Sequence, residues 1–487
     1  MSALASTLAA SPVTGARQPT RPVAAPVPAS ALAPSVTLPL RFVVTGFASL
    51  LTGMVLLVVR PDLLTAYHYN QYVVAATHLF VLGFLGSVVM GATYQLVPVA
   101  LETRLFSERL ARWQYLFHLV GFVGMVWMFW RWDLKQVGHF GSVFGFGVAL
   151  FVYNVGRTLR QVRQWNVVAT GLASALVWLS LTVLVGLVIA TGKCTYDSAE
   201  RLGPANPLWA MLTGLGALAA WVQRFDALGV MHGHAHLGVV GFFVMMIVAV
   251  SYKLVPMFTL GELQSERRAV WSVWLLNLGL AALFFALVLR GGWRLAAAAL
   301  MVAGLGLYVA EVVAILRARR RRVLDWGLRH YVTALGLLAG TALLGLVLSW
   351  PGLPVTMFTA QLETVYGWLG IVGVVSFTVL GFLYKIVPFL VWYHSYSPAV
   401  GRARIPGMAD LYSPRLQVAG YWLFLGGFLG AAAGAALGRA VVARVAVIVL
   451  LGGLAVFGIN LGFMLRHFYR PQLTPLSPIA PARGSHS

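Results

Sequence analysis

Apolar positions in this chain run on in long blocks, without the alternation of a half-buried strand or the narrow stripe of a surface helix. Thirteen such stretches are legible: 40–60, 72–98, 112–130, 136–156, 167–191, 206–222, 231–258, 269–290, 294–316, 329–350, 362–392, 417–437 and 441–465. A run of about 20 apolar residues is long enough to cross a hydrocarbon layer of about 30 Å as a helix. The stretch 206–222 is the shortest and is followed by Arg224 and Asp226, so it reads as a re-entrant or interfacial helix leading into 231–258. Twelve spans remain. The pattern predicts an all-α polytopic membrane protein of about twelve transmembrane helices.

Three of the spans carry the same spaced residues. The second has His78, Gly83, Tyr94 and Pro98; the sixth has His236, Gly241, Tyr252 and Pro256; the tenth has Trp368, Gly373, Tyr384 and Pro388. Counted back from the proline, tyrosine stands at −4, glycine at −15 and His, His or Trp at −20 each time. Beyond the proline, Ser107-Glu108-Arg109 with Trp113 matches Ser265-Glu266-Arg267 with Trp271, and Ser397 keeps the same offset in the third copy. Packing glycines and helix-ending prolines account for each residue singly but not for the joint spacing. The expectation is three four-helix repeats about a pseudo-threefold axis.

Composition agrees with lipid as the solvent: 60% of the 487 residues are apolar, 10% are charged, and mean hydropathy is +0.83, against roughly 25% charged in a soluble domain. The net charge of +22 does not point to nucleic acid, because the basic residues lie in short loops between apolar runs and form no single basic face. Sorted by the side each loop would occupy, 23 of the 35 Lys and Arg fall on one side and 10 on the other. By the positive-inside rule this predicts both termini in the cytoplasm and a bacterial-type inner membrane. Residues 1–38 and 469–487, rich in Pro and small residues, read as disordered cytoplasmic tails flanking a transmembrane domain over 39–468. A single cysteine, Cys194, leaves metal or cofactor ligation to His, Met or carboxylates.

The histidines therefore carry the candidate chemistry. An intramembrane histidine costs free energy unless it is hydrogen-bonded or ligates something. For His118 and His330, each alone in its span, and His394, just beyond the end of 362–392, a hydrogen-bonded core residue is the simpler account. Met231-His232-Gly233-His234-Ala235-His236 differs, because three imidazoles in five residues at a helix start imply a shared task. At about 100° per residue His234 and His236 point to opposite faces, whereas His232 and His236 share one. One helix can then serve two sites, and neutral imidazoles suit haem iron or copper. The repeat equivalence of His78 and His236 predicts a low-spin haem held between them. His234 is left for a second haem or metal, with His232 and His139 as the nearest metal-ligand candidates and His68 and Glu363 as further donors on the outer side.

His234-Ala235-His236, followed by Gly241, Tyr252 and Pro256, resembles the haem-ligating His-x-His helix of heme-copper oxidase catalytic subunits, especially the cbb3-type branch. It is also similar to the His-Ala-His helix of the NnrS family of haem- and copper-containing membrane proteins. The resemblance implies haem b, copper as a second cofactor, and a role in respiratory electron transfer or nitric oxide handling. The partners implied are the lipid bilayer, haem, and a cytochrome c or other electron-transfer subunit. Two departures stand out. The oxidase His-x-His pair lies on the tenth helix, where this chain has Tyr366-Gly367-Trp368, and the seventh span, which in oxidases supplies a His pair to copper, contains no His. A terminal oxidase or nitric oxide reductase subunit is therefore the alternative expectation, and a twelve-helix transporter the second alternative.

Overall fold

The computed structural model describes residues 34–222 and 224–475. Twelve long helices fill it: α1 Thr37–Val59, α2 Gln71–Ala100, α3 Glu108–Arg131, α4 Leu134–Leu159, α5 Val167–Leu202, α7 Ala227–Thr259, α8 Glu266–Val288, α9 Arg294–Arg317, α10 Trp326–Leu348, α11 Met357–Ala399, α12 Pro414–Ala436 and α13 Ala440–Tyr469. The stretch expected to be short is the separate helix α6, Trp209–Val222, packed on α5. Eleven of the long helices are apolar enough over 18 residues to cross a membrane. The twelfth, α3, carries Gln114, His118 and three tryptophans and packs as a hairpin against α4. The protein is thus an all-α, multi-pass membrane protein.

The repeat is written into the backbone. Each of α2, α7 and α11 opens from α-helix into an eight-residue π-helical segment, Leu79–Gly86, Leu237–Val244 and Leu369–Ser376. All three begin immediately after the residue at −20. Wide π turns of this kind concentrate at functional sites, because they re-aim the side chains on either side. The three segments meet near the centre, where the third touches the other two.

The hairpin that follows each central helix is also built alike. Ser107, Ser265 and Ser413 cap α3, α8 and α12 by accepting from the backbone N–H three residues on. Fourteen residues after each cap stands a glycine, Gly121, Gly279 or Gly427, on which a Cβ would fall against the backbone of Phe144, Met301 or Leu450 in the partner helix. Small residues at such crossings let membrane helices approach closely. Ser397, expected by its offset to be the third serine, instead follows the end of the long α-helical part of α11. An insertion between α11 and α12 moves the capping role to Ser413.

Asn154 locks the first cap from α4, accepting from Ser107 N at 3.0 Å and donating to Ser107 O at 2.7 Å. Asn460 repeats this on Ser413 at 2.9 and 3.1 Å. In the middle repeat Glu311 accepts from Gln264 N and Ser265 N and pairs with Arg268 at 2.8 Å. Its carboxylate is fully buried and every partner it has is structural. At the ends of the chain, α1 starts at Thr37, two residues inside the expected N-terminal tail, whose first 33 residues lie outside the described ones. Thr474–Pro475 pairs with Ala403–Arg404 in a two-residue antiparallel ladder.

Candidate functional site

A cavity of about 510 Å³ lies among the first halves of α2, α7 and α11, walled further by α3, α4, α5, α9 and α10. This is within the range of cofactor sites. Five histidines line it, His68, His78, His232, His234 and His236, together with Glu363, Tyr366 and Trp368. Most of the remaining lining is apolar.

Local structure orients the imidazoles. His78 Nδ1 lies 2.8 Å from Val74 O and His236 Nδ1 lies 2.7 Å from His232 O, each one turn back in its own helix. A carbonyl only accepts, so Nδ1 carries the proton in both and Nε2 keeps its lone pair. The sequence-level pairing of His78 with His236 is not the one the fold brings together. His78 instead faces His234, with ring centres 6.4 Å apart and planes 19° from parallel. His236 turns to the third repeat, where Nε2 is 3.2 Å from Tyr366 Oη and the rings are 5.8 Å apart. His234 and His236 thus point to different neighbours, the first repeat and the third.

A rule of rotation underlies both contacts. The residue at −20 in one repeat meets the residue at −22 in the next, giving His78 with His234 and His236 with Tyr366. At the third −20 position Trp368 is buried, donates to Phe428 O at 3.1 Å and stacks on Phe428. The −22 residue of the first repeat is Ala76, which has no polar group to offer.

His234 is seated by Gly186 of α5, where a Cβ would lie 2.8 Å from His234 Cε1. On the α5 side the His234 imidazole lies beside the backbone of Thr182. At the mouth of the cavity His68, in the segment before α2, places Nε2 3.0 Å from His232 Nε2. Its Nδ1 is 3.4 Å from Glu363 Oε2. Burial holds the His68 pKa below the ordinary histidine value, so its imidazole is neutral at pH 7. His139 stands apart: it is exposed on α4, contacts Gln136 and does not line the cavity.

The remaining intramembrane histidines have ordinary partners. His118 bonds Ser87, His330 bonds Trp326 O, and His394 stacks on Phe468. Tyr366 was overlooked as a site residue at the sequence level. Its signal was its place at −22, aligned with His234.

Comparison with known proteins agrees with this architecture. A family model described as Cytochrome C and Quinol oxidase polypeptide I matches residues 7–134, about a quarter of the chain. A heme-copper terminal oxidase dimer solved by cryo-electron microscopy superposes with a TM-score of 0.56 at 12% identity, over 92% of this chain and 87% of that one. No curated protein matches. In fold, therefore, the chain is a membrane protein like subunit I of the heme-copper oxidases.

Proposed function

We propose that this is a haem-binding membrane protein acting in respiratory electron transfer or nitric oxide handling, with one low-spin haem b held between His78 and His234. The observation that carries this reading is the spacing of the two rings. Imidazoles bound end-on to one metal through bonds of about 2 Å have ring centres roughly 6–6.5 Å apart, and these stand at 6.4 Å. The apolar cavity between α2 and α7, and the seat that Gly186 leaves for the His234 ring, also suit a flat macrocycle there.

A haem there would accept and pass on one electron at a time. The chain's own contribution is positional. Val74 O fixes the His78 tautomer so that Nε2 faces the cavity, and the apolar walls keep water from competing for the open face. Copper in the place implied by the oxidase resemblance does not fit, because α8 has no histidine. A cytochrome c or another electron-transfer subunit is the proposed redox partner.

The test is an optical spectrum of the dithionite-reduced protein with a pyridine hemochrome assay. The expected result is a low-spin haem b spectrum that is lost in His78→Ala and in His234→Ala but kept in His236→Ala and His118→Ala. A colourless wild-type protein would overturn the reading, and loss in His236→Ala with retention in His234→Ala would restore the pairing suggested by repeat equivalence alone.

A further inference from the structure

His68, His232 and Glu363 come from three different repeats. They belong to the segment before α2, the first turns of α7 and the outer part of α11. One ligand atom from each lies within 4.8 Å of the other two. We propose that these three side chains form a binding site for a divalent transition metal, which ties the three repeats together at the mouth of the cavity. The proposal is independent of the haem reading, since none of the three is a haem ligand there.

Not every donor atom in this cluster has a partner. The two Nε2 atoms sit 3.0 Å apart, so at most one of them can donate to the other. His68 Nδ1 is buried without a hydrogen-bond partner, and Glu363 Oε2 at 3.4 Å is beyond a good charge-assisted bond. Two nitrogens bound tetrahedrally to one metal at about 2.0–2.1 Å lie about 3.3 Å apart, within a few tenths of an ångström of the 3.0 Å found. Two imidazoles and one carboxylate form a borderline donor set that suits zinc, copper(II) or iron(II) and disfavours calcium or magnesium. Three protein ligands also leave a fourth position open.

Access and second contacts are in place. The His68 and Glu363 side chains retain 16% and 38% of their exposure, which gives an entry path. His232 O holds His236 Nδ1, so the site is joined through one helical turn to the histidine facing Tyr366. Arg294, which also lines the cavity, reaches toward the carbonyls of Ser349 and Trp350 and lies near enough to Glu363 to favour its carboxylate form.

Zinc is the probe. Full-length protein purified in detergent, stripped with EDTA and dialysed against buffered Zn²⁺, should retain about one zinc per chain by mass spectrometry of the metal. His68→Gln, His232→Gln and Glu363→Gln should each lose it, and His139→Gln should keep it. Glu363→Gln preserves shape at a half-exposed position, so its loss of zinc is not a folding defect, and gel filtration of the same sample checks this. Haem is assayed in every preparation. Zinc held without haem refutes the haem reading and leaves this one standing. Wild-type protein that holds no zinc, or Glu363→Gln that holds as much as wild type, overturns the metal site whatever the haem content.

Discussion

The space around the cavity histidines is set by single residues with no chemistry of their own. Gly186 is the clearest, because any Cβ there would overlap the His234 ring. A buried ring cannot move aside without losing its packing, and overpacking costs typically 1–3 kcal/mol. Gly186→Leu should therefore lower the haem content of the purified protein several-fold while leaving its expression measurable. Gly336→Leu, at a position with nothing within 4 Å of a Cβ, should leave the pyridine hemochrome yield unchanged. Equal yields from the two variants would mean that His234 is not seated as described.

At the scale of elements, each repeat is fastened by contacts whose donors and acceptors are all accounted for. Asn154 and Asn460 each make two hydrogen bonds to the backbone of a capping serine 47 residues away. Removing one strands a buried N–H and C=O, a penalty of about 1–3 kcal/mol per group. Asn460→Ala should show a lower midpoint in a thermal-aggregation assay in detergent, and Asn460→Asp, which can still accept, should fall less. Asp226 does similar work at the start of α7. It caps Gly229 N and accepts from Arg290 at 2.7 Å. Arg290 holds its pKa below the usual carboxylate value. A depressed acid contributes stability above its unfolded pKa and loses it as pH falls through the folded value, so this cap persists at neutral pH and fails only in acid. Asp226→Ala should cost about 0.5–2 kcal/mol at pH 7 and progressively less as pH falls below the ordinary carboxylate range, as read from the same melting assay. An equal loss at pH 7 and in acid would show that the carboxylate charge is irrelevant.

At the scale of the whole molecule, the features legible in the sequence were those fixed along a helix axis. The offsets −4, −15 and −20 located three equivalent central helices, and the blocks of apolar residues counted the spans. What an offset does not carry is the rotation of one helix about its neighbour. That is why His78 faces His234 and not its equivalent His236, and why the residue matching His234 in the third repeat, Tyr366, passed unnoticed. The insertion before α12 hid the third capping serine in the same way, since a fixed offset fails wherever a loop changes length. The paired glycines of the three hairpins were visible all along, but only the caps give the origin from which they align.

The same scale decides the orientation of the protein in its membrane. Twelve crossings return the chain to the side on which it began, and a thirteenth would separate the termini, so α6 is the element on which the topology turns. Its 14 residues extend about 21 Å at 1.5 Å per residue, short of a hydrocarbon layer of about 30 Å, and Asp226 with Arg224 stands at its end. If α6 does not cross, both termini share one side, and the excess of Lys and Arg on that side makes it the cytoplasm. A green fluorescent protein fused after Ser487 should then fluoresce, while alkaline phosphatase at the same point should be inactive. Phosphatase placed in the turn between α3 and α4, on the opposite side, should be active. An active phosphatase at the C-terminus together with an active one in that turn would mean that α6 spans the bilayer and that the charge segregation counted over twelve helices is accidental.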